Sequence, residues 1–180
     1  NSLKKDDKDA ALYNNRGMIR VQRGRYVEAM PFFRKAVELD PNLLSAHLNI
    51  GAIALRYRDY ETAEKHFGQA VKLSPRHAEG NLGYGLALSG MQKAQDALAQ
   101  LTRAIEIKDS CSAQSETARV YKYQLNKLKP ALEWATKYVA CKGGKLDDND
   151  PMKVEIENLK NELEMQKMQA EAEAGGGGEG

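Results

Sequence analysis

A set of small, aromatic and aliphatic residues recurs along this chain at a constant step of 34 residues. The set Ala29, Phe33, Ala36 and Pro41 reappears as Ala63, Phe67, Ala70 and Pro75, and more loosely as Ala97, Leu101, Ala104 and Asp109. Gly17, Gly51 and Gly85 keep the same step. A fixed period of this kind is typical of repeat proteins, in which each unit packs against its neighbours. The sequence therefore predicts a repeat architecture.

Each unit is predicted to be a hairpin of two helices, because its apolar residues recur every three and four positions. Gly17 on the first helix is expected to face Ala29 on the second, so that the two backbones approach closely. Phe33 would then fill the next layer of the core. Pro41 and Pro75 end one hairpin and begin the next, because proline cannot continue a helix but suits its first turn.

The repeated residues resemble the tetratricopeptide repeat (TPR) family over residues 10–145. The four predicted units are 10–43, 44–77, 78–111 and 112–145. The fourth departs from the pattern, since Arg119 replaces the small glycine and Ala135 and Tyr138 exchange the large and small sites. The resemblance implies an all-α fold, a right-handed α-solenoid of four TPR helical hairpins with one concave groove.

The sequence changes character on either side of the repeats. Residues 1–9 are polar and are predicted to be an N-terminal tether, and residues 175–180 a flexible glycine-rich tail. Between them, residues 146–174 are predicted to be an acidic linker and a C-terminal helix that starts near Pro151. Its apolar stripe of Met152, Ile156, Leu159 and Leu163 predicts a helix that caps the last repeat. The same spacing also fits a coiled coil with a partner or a second copy, and this alternative stays open.

Composition and charge exclude several classes of function. No run of 18 apolar residues occurs, so no transmembrane segment is predicted. Residues 1–145 carry a net charge of +9 and residues 146–180 one of −7. The basic residues are scattered and lack interleaved aromatics, so nucleic acid is not an expected partner. His47, His66 and His77 lack metal-ligand spacing, and no phosphate loop or nucleophile motif is present. The chain is predicted not to be an enzyme and to hold no catalytic, cofactor or metal site.

The resemblance implies a function in binding another protein. In TPR proteins the first helix of each unit lines the concave groove, where a peptide or an amphipathic helix of the partner binds. The corresponding positions here are Asn14, Asn15, Met18, Leu48, Asn49, Ala52, Leu82, Leu86 and Val120. They are predicted to form an apolar track beside asparagine amides, which can pair with a peptide backbone. Alternatively, some of these residues are buried between repeats.

One subclass of the family can be compared directly with this sequence. TPR co-chaperones bind the acidic C-terminal tails of heat-shock chaperones through a clamp of Lys, Asn, Asn, Lys and Arg. That pattern falls here on Asn14, Met18, Asn49, Glu79 and Gly83, of which only Asn49 matches. Because Glu79 would repel a carboxylate, chaperone tails are expected to be disfavoured as partners.

The two cysteines, Cys111 and Cys141, flank the fourth hairpin, whose antiparallel helices would bring them together. A disulfide there would indicate an oxidising compartment. The chain would then be periplasmic or outer-membrane-attached, with a lipid anchor preceding Asn1. It would be similar by class to bacterial envelope TPR lipoproteins of pilus or gliding-motility assembly.

The alternative is that both cysteines are free thiols in small apolar positions, since Cys141 takes the repeat position of Leu39, Leu73 and Ile107. A cytoplasmic TPR scaffold would then be expected. A structural module that self-associates through its C-terminal helix is the other alternative.

Overall fold

A computed structural model describes residues 9–175 of the 180 residues in the chain. These residues form two compact units, the first ending at Ile107 and the second beginning at Lys108. Every regular element in this range is a helix, and the predicted all-α fold is confirmed. The predicted tether, apart from Asp9, and the predicted glycine-rich tail after Gly175 lie outside the described residues.

The first unit, described from Asp9 onward, is a series of three helical hairpins. Its helices are α1 (Ala10–Gln22), α2 (Tyr26–Leu39), α3 (Leu44–Arg56), α4 (Tyr60–Leu73), α5 (Ala78–Gly90) and α6 (Ala94–Ile107). The Asp9 carboxylate accepts hydrogen bonds from the backbone N–H groups of Ala11 and Leu12, and that of Asp59 accepts one from Thr62. These caps satisfy N–H groups that a helix start leaves without an intrahelical partner.

Each hairpin turns through one residue with a left-handed backbone. These residues are Gly24 (φ 72°), Arg58 (φ 60°), Gln92 (φ 61°) and Asn126 (φ 52°), which keep the step of the repeat. Glycine adopts this conformation without steric cost, whereas other residues lose about 1–2 kcal/mol there. The turn geometry therefore persists in hairpins that lack the glycine, which indicates that helix packing determines it.

The glycine of each first helix lies directly against the large residue of the second helix. A Cβ atom on Gly17 would be 2.6 Å from the Phe33 ring, closer than real side-chain contacts allow. Gly51 would meet Phe67 at 2.7 Å, and Gly85 would meet Leu101 at 2.8 Å. The nearest neighbour of Gly17 is therefore the Phe33 ring, which fills the space that the missing Cβ leaves, and the expectation that Gly17 also faces Ala29 stays a prediction.

The second unit is one hairpin followed by a long helix. Helix α7 (Cys111–Arg119) continues as a π-helical segment (Val120–Gln124), and α8 (Leu128–Cys141) and α9 (Pro151–Gly175) follow. Met152 and Leu159 of α9 are buried in one core with residues of the hairpin, and Ile156 and Leu163 pack against that core. The predicted capping role of the C-terminal helix is confirmed.

An ion-pair cluster also fixes α9 to its own hairpin. The Lys122 ammonium lies 3.2 Å from the Glu155 carboxylate and 3.1 Å from that of Glu162, and the lysine side chain is only 11% exposed. Burial opposes the charged form of Lys122, but the hydrogen bonds to both glutamates outweigh burial and raise its pKa. The cluster therefore keeps three charges in place on the side of α9 that faces the hairpin.

Candidate functional site

Two of the predicted groove residues, Asn14 and Asn49, are joined by a side-chain hydrogen bond. The Asn49 side-chain amide donates a hydrogen bond of 2.9 Å to the Asn14 carbonyl oxygen, and Asn14 is 8% exposed. The bond joins α1 to α3, so the first helices of successive hairpins are neighbours in this unit. Each asparagine amide has two N–H donors and a carbonyl with two lone pairs, so one bond leaves capacity for a ligand.

The predicted apolar track follows the same helices. Met18, Leu48, Leu82 and Leu86 are each half-buried, whereas Asn15 and Ala52 are exposed. Met18 packs against the cluster around Phe33, and Leu48 packs against the cluster around Phe67. These side chains therefore contribute to the core and also leave part of their surface accessible. We call Asn15, Met18, Leu48, Asn49, Ala52, Leu82 and Leu86 the groove face.

Small residues keep the first helices close together along the groove face. The Leu48 side chain lies 3.6 Å from the position that a Cβ on Gly80 would occupy, which places α3 beside α5. Gly83 of α5 serves a different contact, with the second helix α4, because a Cβ there would have to displace the Phe67 ring. Glu79 at the start of α5 is 69% exposed, and its carboxylate lies 3.6 Å from the Nδ1 atom of His77.

Val120 is not available to a ligand, and its assignment to the groove is wrong. It is fully buried in the second unit, whereas Arg119 beside it is exposed. In the first three hairpins the residue at the Arg119 position is a buried glycine, so burial has moved by one residue in the fourth. The physical reason is that Arg119 cannot take the buried glycine position, because a charged side chain is costly to bury without a partner, and Val120 is buried instead. The change starts before Val120, since Ala113 and Thr117 of α7 are buried although the equivalent Ala11 and Asn15 are exposed.

Cys111 and Cys141 are joined by a disulfide bond within the second unit. Their Cα atoms are 5.5 Å apart, and 30 residues separate them along the chain. The bond links the first residue of α7 to the last residue of α8 and so closes the whole hairpin. No free cysteine is left in the chain.

Two histidines to which the sequence assigns no role form a pair, in which His47 is buried and His66 is half-buried. His47 Nε2 lies 2.9 Å from the carbonyl oxygen of Pro41, and His47 Nδ1 lies 3.1 Å from His66 Nδ1. Since the carbonyl can only accept, His47 donates through Nε2 and accepts at Nδ1 from His66. No group of three or more metal-ligating side chains occurs in residues 9–175, and the pair belongs to the packing of α3 on α4.

The histidine pair makes the stability of the first unit dependent on pH. Burial lowers the pKa of His66 to about 4, and His47 and Lys65 add to the shift. The unfolded chain, with a histidine pKa near 6.5, binds the proton first as the pH falls. The free energy of unfolding of the first unit should be fully retained above about pH 6.5 and should fall by roughly 2 kcal/mol towards pH 4.

Denaturant unfolding of the natural chain and of His66→Gln, measured across this range, tests the pH prediction. Glutamine can still donate to His47 but does not titrate. The stability difference between the two proteins should shrink as the pH falls. Parallel pH profiles would contradict the role given to His66.

Models of one repeat family match a large part of the chain. The tetratricopeptide repeat matches residues 10–43, and a second model of the same repeat matches residues 48–112. Together these matches cover more than half of the sequence. They coincide with the first three hairpins.

Curated relatives share only part of their length with this chain. The rice (Oryza sativa subsp. japonica) protein SGT1 homolog is 36% identical over 72 residues, which are 40% of this chain and 18% of the relative. The wheat (Triticum aestivum) Hsp70-Hsp90 organizing protein is 27% identical over 78 residues, 43% of this chain and 13% of the relative. The chain thus spans less than a fifth of these relatives.

Solved structures with a similar fold cover more of the chain. MamA from Desulfovibrio magneticus RS-1 has a TM-score of 0.70 at 20% identity, over 78% of this chain and 79% of that one. PilF of Pseudomonas aeruginosa has a TM-score of 0.69 at 22% identity, over 98% of this chain and 80% of that one. The first TPR domain of Spaghetti (RPAP3), bound to an HSP90 peptide, has a TM-score of 0.61 at 21% identity, over 64% and 93%.

The comparisons do not support the expectation that chaperone tails are disfavoured. Two of the similar proteins carry chaperones in their names or titles, as an Hsp70-Hsp90 organizing protein and as a domain bound to an HSP90 peptide. The mismatch of the clamp positions is therefore not a sufficient reason to exclude an acidic peptide.

Proposed function

Because the chain belongs to the tetratricopeptide repeat family, we propose that the groove face of its first unit binds a peptide or an amphipathic helix of a partner protein. The observation that carries the proposal is the combination of half-buried apolar side chains with the paired amides of Asn14 and Asn49. Apolar side chains supply most of the affinity in such a groove, and amides fix the peptide backbone. The role is binding and not catalysis.

The accessible parts of Leu48, Leu82 and Leu86 would contact one apolar side of the ligand. Asn15 and Ala52 are exposed and leave room above the helices for a bound backbone. Met18 would close the track at its other end as a flexible apolar contact. Because the groove face carries no lysine or arginine, we expect the affinity to depend only weakly on salt.

Replacing Leu48 and Leu82 together with Glu should weaken peptide binding at least tenfold, because two charges would be placed on the apolar track. Peptides selected from a random displayed library against the natural chain serve as the probe, and fluorescence anisotropy measures their affinity. Val27→Glu with Tyr57→Glu is the matched control, since it adds the same charge at exposed apolar positions of the first unit.

A second variant covers the case in which the glutamates disturb folding. Ala52 is exposed, so Ala52→Trp should fill the groove face without removing any core contact. If the selected peptides bind both variants as tightly as they bind the natural chain, the groove face is not the binding site.

We further propose that the protein works in an oxidising compartment, as a bacterial envelope assembly or motility factor that is periplasmic or attached to the outer membrane. The disulfide between Cys111 and Cys141 supports this, because structural disulfides persist where thiols are not kept reduced. The fold similarity to PilF agrees with it. No helix in the described range has the length and apolar character to cross a bilayer.

A cytoplasmic scaffold is the competing proposal, and the likeness to the chaperone-organizing relative favours it. Thiol counting on denatured, unreduced protein from its native compartment separates the two. No reactive thiol supports the envelope, and two reactive thiols support the cytoplasm.

A further inference from the structure

Helix α9 has a second apolar seam that its own unit does not cover. Its exposed large apolar side chains are Val154 (62% exposed), Met165 (60%) and Met168 (61%). Together with Asn158, Asn161 and Ala172, they form a series in which neighbours are alternately four and three residues apart. This α9 seam consists of Val154, Asn158, Asn161, Met165, Met168 and Ala172, all of them exposed.

The α9 seam lies opposite the stripe that caps the hairpin. Residues three and four apart share one face of a helix, whereas Ile156 and Met165 are nine residues apart and point in opposite directions. Met152, Leu159 and their neighbours are used inside the second unit, so the coiled-coil alternative considered for that stripe is excluded. The seam is a separate surface with the heptad spacing of a coiled coil.

The second half of α9 gains no support from its own unit. Every residue from Glu164 to Ala174 is exposed, and the capping stripe ends at the half-buried Leu163. A helical segment of this length is only marginally stable in water without a packed face. A partner on the α9 seam would supply that face.

Glutamates border the α9 seam on both sides. Glu157, Glu164 and Glu171 follow one edge, each exposed, and none of them forms an ion pair within the described part of the chain. Glu155 and Glu162 follow the other edge, where they already bind Lys122. A row of lysines lies next to the first edge, on the side that faces away from the seam. It consists of Lys153, Lys160 and Lys167.

We propose that the α9 seam binds a basic amphipathic helix of a partner protein. Apolar residues of that helix would pack on Val154, Met165 and Met168, and its Lys or Arg residues would pair with the edge glutamates. A second copy of this chain fits poorly. In an antiparallel pair the row of Glu157, Glu164 and Glu171 would face itself, and in a parallel pair it would face Glu162.

The asparagines in the middle of the seam give the partner a register. Asn158 and Asn161 lie between the two apolar ends and would be covered in the complex. A buried asparagine costs stability unless an amide or another polar side chain faces it, so it selects one alignment. The partner helix is therefore expected to carry a polar residue at the middle of its own seam.

A designed three-heptad peptide with Leu at its seam positions, one central Asn and Lys at the flanking positions is the probe. Its partner in the assay is the full chain, and fluorescence anisotropy measures binding. A second peptide with Glu at the flanking positions is the charge control. The lysine peptide should bind at least tenfold more tightly than the glutamate peptide, and salt should weaken its binding.

Two variants test whether the α9 seam is the site. The double variant Met165→Glu with Met168→Glu should bind the lysine peptide at least tenfold more weakly than the natural chain does. Gln166→Glu with Ala170→Glu adds the same charge on the exposed back of the helix and should leave affinity within twofold. All four residues are exposed, so circular dichroism should show the same helix content in both variants.

Three outcomes would overturn the proposal. The first is equal binding of the two peptides, and the second is unchanged binding to the Met165→Glu, Met168→Glu variant. The third is a stable dimer of the natural chain in light-scattering measurements that this variant converts to a monomer, since the occupant would then be a second copy. None of these outcomes bears on the groove face of the first unit.

Discussion

Replacing Phe67 with Ala is expected to lower the free energy of unfolding of the first unit by about 3–5 kcal/mol. The ring is 4% exposed and lies between two helices that have no side chain at the contact points, at Gly51 on α3 and Gly83 on α5. Removing it leaves a cavity that neither glycine can fill. Denaturant unfolding followed by circular dichroism measures the loss. Tyr57→Ala, at a residue 55% exposed, should change stability by no more than about 0.5 kcal/mol.

A second substitution at the same contact separates packing from helix propensity. Alanine is a better helix former than glycine by about 1 kcal/mol, so Gly83→Ala would stabilise an isolated helix. Here the added methyl group must displace the Phe67 ring, so we expect destabilisation. A more stable Gly83→Ala protein would show that α5 can move away from the ring, and the structural account of this contact would be wrong.

Breaking the disulfide should lower the free energy of unfolding of the second unit by roughly 3–4 kcal/mol. The bond closes a long segment, between residues 111 and 141, so its loss increases the conformational freedom of the unfolded chain. Trp134 is the one tryptophan of the chain and packs against the core of this unit, so its fluorescence reports local unfolding. Unfolding curves with and without reductant give the difference.

The control is the double variant Cys111→Ala with Cys141→Ala. Its free energy of unfolding should equal that of the reduced natural chain and should not change when reductant is added. A natural chain whose Trp134 transition does not respond to reductant would contradict a stabilising bond. A strong response in the double variant would show that the reductant acts elsewhere.

The fold was predictable because the residues that recur along the sequence are the ones that pack each hairpin. The constant step between Gly17, Gly51 and Gly85 predicts the hairpins, since each glycine makes room for one large side chain. The partner of that glycine was not predictable from the period. Both Ala29 and Phe33 recur at the same step, and only the direction of the side chains decides which one faces Gly17.

For the candidate site, the sequence selects positions but does not reveal their contacts. Family positions lead to the apolar track, but the bond between Asn14 and Asn49 depends on how close α1 and α3 lie. The prediction for Val120 was wrong because the family positions were carried over unchanged, although Arg119 stands where the other hairpins bury a glycine. The pair of His47 and His66 joins residues 19 apart at different repeat positions, so no period could indicate it.

The contact between glycine and aromatic ring has a consequence for how such repeats diverge. In the fourth hairpin both members differ from the usual pair, with Arg119 for the glycine and Ala135 for the ring. A Cβ on Gly17 or Gly51 would collide with an intact ring, so a side chain at the glycine position requires a smaller residue at the ring position, as in the fourth hairpin. Drift along the array should therefore proceed by correlated pairs across the hairpin. A search that evaluates the two positions together would recognise degenerate units that residue-by-residue comparison overlooks.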